Sequence, residues 1–143
     1  MAAKSLVTLI KLQKSLVDEQ RRMLADLQNI YDRIVAEIAA LEAARRREEG
    51  IARTAQVGEM MTLAQFQNAV KSRLEQLGKA RDDANKAVES AREKLAELFE
   101  TQKRYEIIRD NRDAAELAEE QKRERLELDE IAEQGHRRKS AKE

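Results

Sequence analysis

Few side chains in this sequence are arranged for covalent chemistry. Asp129 and Glu130 are the most suggestive pair, because two carboxylates can act as general acid and base when their surroundings push their pKa values apart. Here they sit in a charged run with no apolar segment to build a cleft, and neighbours on a helix point about 100° apart. A solvated helix face, or an ion pair with a partner, suits them better. His136 is the only histidine and has no second ligand at metal spacing. With no cysteine there is no thiolate ligand, disulfide or thiol nucleophile. No GxxxxGK[ST] loop is present to cradle a nucleotide phosphate, so the chain is not expected to hydrolyse ATP itself. Arg45-Arg46-Arg47 runs directly into Glu48-Glu49, which can absorb it in local ion pairs. The reading is of a protein that is not an enzyme, with no catalytic, cofactor-binding or metal-binding residue.

The scaffold carrying these side chains is written in the composition. Charged residues make up 39% of 143, and Ala, Glu, Lys, Leu and Arg together reach about 59%. There is no proline or tryptophan, and only two phenylalanines and two tyrosines. Such a bias is the signature of long helices and coiled coils, and it leaves little for a sheet or a broad core. Basic and acidic side chains balance at 28 each, so no global field favours nucleic acid or an anionic membrane. The opening MAAKSLVTLIKLQKSLVDEQ is punctuated by Lys4, Lys11, Lys14 and Asp18, too often for a signal peptide or a membrane span. A soluble cytoplasmic chain is expected.

Apolar residues then set the architecture. Leu6, Ile10, Gln13, Val17, Gln20, Leu24, Leu27, Tyr31, Ile34, Ile38 and Leu41 alternate steps of three and four, a heptad seam in which the two glutamines are the only polar members. A second line, Leu9, Leu16, Met23 and Ile30, widens the stripe on one side. The stretch around Gly50 and Gly58 ends this helix. Thr62 followed by Gln65 has the form of a capping box. A second seam follows: Phe66, Val70, Leu74, Leu77, Arg81, Ala84, Val88, Ala91, Leu95, Leu98, Gln102 and Tyr105.

These features predict an all-α fold, a long antiparallel two-helix coiled-coil hairpin forming a single domain over 1–143. Helix 1 is expected over about 5–57, a turn over about 58–62, helix 2 over about 63–134, and a disordered basic tail over 135–143. A loop near residue 60 pairs positions whose numbers sum to roughly 120. That register sets Leu24 against Leu95, Ile10 against Ile108, and Tyr31, Ile34 and Ile38 against Ala80, Ala84 and Ala87. Gln20 and Gln102 then fall close enough for a polar layer. Helix 2 outruns helix 1, so residues beyond about Leu117 form an overhang with no partner inside the chain. An isolated helix of that kind is marginal in water. Leu117, Leu128 and Ile131 share one of its faces, and a second protein is expected to complete it.

The chain resembles the FliJ-type central stalk proteins of the flagellar type III export apparatus, to which the YscO-like injectisome proteins are related. The resemblance covers nearly the whole length and is carried by the charged second helix: Lys94 to Phe99 (KLAELF), Lys103, Glu106 and Arg109, then Glu120-Gln121-Lys122, and Leu128-Asp129-Glu130-Ile131-Ala132. Helix 1 departs from the family in having few aromatics beyond Tyr31, and Gly78 interrupts a face of helix 2. The resemblance implies a hairpin inserted as a stalk into the hexameric export ATPase and coupled to the cytosolic domain of the membrane export gate. It also implies handling of export chaperones. Membrane association would then be peripheral, at the inner face, and through partners only. Leu117, Gln121, Leu128, Asp129, Glu130 and Ile131 become candidate contacts with the ATPase ring. Phe66, Val70 and Leu77 become candidate contacts with the gate, although hairpin core is the simpler reading for them. Periodicity alone leaves open an injectisome stalk or a generic scaffold that dimerises along its stripe.

Overall fold

The computed structural model describes residues 3–53 and 57–142. Two helices, α1 (Ala3–Ala52) and α2 (Val57–Lys142), account for nearly all of them, and no strand occurs among the described residues. The hairpin is all-α, as the heptads require. Two compact units divide the chain, each taking a stretch from both helices: Met1–Lys14 with Glu100–Glu143, and Ser15–Phe99.

The helix ends differ from the expected ones. α1 stops at Ala52, and 58–62 is helix rather than turn, with Thr62 an interior residue of α2 instead of its N-cap. Thr54, Ala55 and Gln56 lie outside the described residues. Gly50 falls within α1, and no described glycine has a positive φ. A glycine inside a helix costs about 1 kcal/mol relative to alanine, whereas Glu59, Met60 and Met61 are good helix formers, so Gly58 does not stop α2. At the other end, 135–142 is helical rather than disordered. Gly135 is the single breaker there, and Glu133 and Arg137 pair across it at 2.9 Å.

In the Ser15–Phe99 unit the seam works as a seam. Val17, Val70, Leu77, Val88 and Ala91 are buried, and Leu24, Leu27, Tyr31, Ile34, Ile38 and Leu41 on α1 are half-buried opposite Leu74, Ala84, Leu95 and Leu98 on α2. Two expected seam members fall off it. Phe66 is exposed and Gln67 takes its place, because steps of three and four counted back from Val70 reach 67. Arg81, spaced between Leu77 and Ala84, is exposed and pairs with Asp82 at 3.5 Å.

Cross-helix bonds fix the antiparallel register. Gln20 Nε2 donates to the Ala91 carbonyl at 3.2 Å, Arg92 donates to Gln28 Oε1 at 3.4 Å, and Arg73 pairs with Glu37 at 2.9 Å. An earlier reversal slides α2, so Leu24 falls at the level of Ala91 rather than Leu95. The Arg21 guanidinium lies 4.8 Å from the Phe99 ring centroid, a cation–π contact along one edge of the pair.

The unit formed by Met1–Lys14 and Glu100–Glu143 has a small core. Leu6 and Ile10 are buried beside the polar Gln13, and α2 contributes half-buried Thr101, Gln102, Tyr105, Arg109 and Arg112. Ile108, expected opposite Ile10, is exposed, because the seam steps from Tyr105 to Arg109 and passes it by. Gln102 donates to Glu106 at 3.0 Å.

Candidate partner-binding surface

The core of the terminal unit ends abruptly. A hollow of about 180 Å³ lined by Leu6, Val7, Arg109, Arg112, Asp113 and Glu116 lies between α1 and α2 in this unit. Every residue from Asp113 to Lys142 is exposed. The cause is written in the spacing: steps of three and four continued from Arg112 run through Glu116, Glu119, Arg123 and Leu126. Three charged residues in four positions cannot extend an apolar seam.

The apolar residues of this segment lie elsewhere on the helix. Leu117, Gln121, Leu128 and Ile131 repeat at spacings of four, seven and three, forming a stripe displaced from the seam line. Leu117 is 56% exposed and Leu128 and Ile131 are each 65% exposed, so no described residue buries them. Asp129 and Glu130 are exposed beside them, as is Gln121. Leu126, another bare apolar side chain, was missed by sequence reasoning; the alternation in Leu126-Glu127-Leu128 was its only signal. Ion pairs within the helix, Glu119–Arg123 at 3.9 Å and Glu133–Arg137 at 2.9 Å, support it at a few tenths of a kcal/mol each.

Glu106 sits at the base of this segment. The hydrogen bond from Gln102 is the largest cause holding its carboxyl below the ordinary value of 4.5. Burial opposes it, and Lys103, 3.6 Å away, and the charge of Arg109 add to the lowering.

The three residues assigned by resemblance to the export gate do not share one environment. Val70 and Leu77 are each only 4% exposed in the hairpin core, whereas Phe66 is 38% exposed. Only Phe66 presents a ring to solvent. Arg45 pairs with Glu49 at 3.4 Å, the local neutralisation expected of that basic run. Among the described residues no group of His, Asp and Glu is placed to hold a metal ion, and no helix is long and apolar enough to cross a membrane.

Comparison with known proteins matches residues 2–141 to the family model described as "Flagellar FliJ protein". No curated protein and no solved structure matches the chain. A match over nearly the whole sequence, on a helical hairpin with a charged second helix, identifies the chain as a member of the flagellar FliJ family, and so as a component of the flagellar type III export apparatus.

Proposed function

We infer that this protein is a non-enzymatic stalk: the bare end of α2 enters the hexameric export ATPase, and the hairpin links that ring to the cytosolic domain of the export gate. The observation that carries this reading is the thirty-residue length of α2, Asp113 to Lys142, on which every residue is exposed while Leu117, Leu128 and Ile131 form an apolar stripe. Exposed aliphatic groups supply binding energy when a partner desolvates them, and the Asp129-Glu130 pair adds charges that set orientation and encounter rate. Its action is mechanical and allosteric. By binding the assembled ring better than dissociated subunits, the stalk shifts the ATPase toward its hexamer.

Phe66, near the helix reversal, is the side chain best placed to meet the gate, with Val70 and Leu77 holding the hairpin beneath it. Export chaperones are further partners. In this role the protein works in the cytoplasm, at the inner face of the membrane, and is held there by its partners.

Truncation after Leu117 tests the reading. The shortened chain should remain helical and fold as a hairpin, because the removed residues are all exposed, yet fail to stimulate the ATPase. Full stimulation by the truncated chain would show that the ring grips the hairpin elsewhere.

A further inference from the structure

The two long edges of the Ser15–Phe99 unit are built differently. One is closed by polar and aromatic pairs, with Arg21 over Phe99 and Arg92 bonded to Gln28. The other carries Leu16, Met23 and Ile30, one heptad apart, at positions beside the seam where two-helix coiled coils ordinarily place charges. These side chains are 37%, 55% and 47% exposed.

The Glu37–Arg73 ion pair lies on the same edge and sets its offset. Moving by heptads from this pair, Leu16, Met23 and Ile30 on α1 share the edge with Ala80, Ala87 and Lys94 on α2. Large apolar side chains on α1 thus share the edge with the small, half-buried Ala80 and Ala87 on α2, a difference in size that shapes a furrow. Its outer rims carry Glu19 and Asp26 on α1, and Asp83 on α2, all exposed, with Ser90 between. Arg33 and Lys94 mark the two ends.

We propose that this edge is a docking furrow for a third helix, supplied by a different protein, whose apolar stripe is flanked by lysine or arginine. The apolar floor requires an amphipathic occupant, since a helix laid there completes a three-helix arrangement and removes Leu16, Met23 and Ile30 from water. The rims select its charge. A second copy of this chain would bring Glu19, Asp26 and Asp83 against the same carboxylates, whereas a basic-flanked helix meets opposite charges on both sides. The furrow is remote in sequence from the exposed end of α2, and the proposal stands independently of the stalk reading.

The test uses the full-length chain and two synthetic four-heptad peptides with identical leucine seams, one flanked by lysine and one by glutamate. Binding is read by fluorescence anisotropy, and oligomeric state by sedimentation. The lysine peptide should bind saturably and at least tenfold more tightly than the glutamate peptide. Binding should disappear in Met23→Glu/Ile30→Glu, whose circular dichroism should match the parent because both sites are about half exposed. Asp26→Lys/Asp83→Lys should invert the preference, which a nonspecific apolar patch would not do. Equal binding of the two peptides, binding of neither, or a dimer of the chain dissolved by Met23→Glu/Ile30→Glu would each overturn the proposal.

Discussion

Replacing Leu128 and Ile131 together by aspartate separates a binding surface from a passive tail. Each side chain keeps 65% of its surface in water in the unbound chain. Full burial of such an aliphatic is worth roughly 1.5–3 kcal/mol, so about two thirds of that, about 1–2 kcal/mol each, remains to be gained on binding. Losing both removes about 2–4 kcal/mol, at least about thirtyfold in affinity at about 1.4 kcal/mol per tenfold. Two carboxylates forced into an apolar contact weaken it further. Stability of the unbound chain should barely respond. Exposed substitutions shift stability by about 0.5 kcal/mol, or about 2 °C in melting midpoint for a chain of this size. Titration of both proteins against the export ATPase, with parallel thermal melts, measures the two effects. Wild-type affinity in the double variant would refute the reasoning, and so would a melting transition lowered by tens of degrees, since that would mean the stripe is part of the fold.

The other expectations concern register, local stability and charge. Cysteines at Leu24 and Ala91, bracketed by the Gln20–Ala91 and Gln28–Arg92 bonds, should crosslink within one chain more efficiently than cysteines at Leu24 and Leu95; gel mobility under oxidising conditions reads this. Gly78→Ala should raise stability by up to about 1 kcal/mol, because the added methyl meets no atom within 4 Å and glycine is the poorer helix former; urea denaturation checks it. Leu77→Ala should cost about 2–5 kcal/mol in the same assay, whereas Phe66→Ala should cost far less and instead weaken binding to the gate domain. Glu106 titrates below 4.5 in the folded chain, so its contribution is fully present above that pH and is lost as pH falls toward the depressed folded value. Glu106→Gln should therefore flatten the acid limb of the melting-midpoint profile relative to the parent.

The seam of α1 was legible residue by residue. All eleven positions from Leu6 to Leu41 are buried or half-buried, because an unbroken alternation of threes and fours admits one helical face. The overhang was legible too, since the continuation through Glu116, Glu119 and Arg123 announces that no core follows. The reversal was harder to place. Gly50 and Gly58 look like helix ends, yet both fall within helices, where neighbouring helix formers outweigh a penalty of about 1 kcal/mol each. Two further departures lie in the spacing along α2 itself: the seam steps from Val70 back to Gln67 and leaves Phe66 at the surface, and it steps from Tyr105 to Arg109 and leaves Ile108 there. At the site, Leu117, Leu128 and Ile131 were identifiable as apolar residues with nothing to pack on. Val70 and Leu77, assigned to a partner by resemblance, carry the same aliphatic chemistry as the core, and only burial distinguishes the two roles.

The stalk account is tested most directly by where the ATPase touches the chain. A photoreactive amino acid placed at Leu128, and separately at Phe66, can be illuminated in the presence of the assembled export ATPase and the products resolved by mass. The account predicts crosslinking from Leu128 to the ring at one stalk per hexamer, with none from Phe66. Crosslinking to the ring from Phe66 alone, or a stoichiometry of one chain per ATPase subunit, would contradict the claim that the exposed end of α2 occupies the ring.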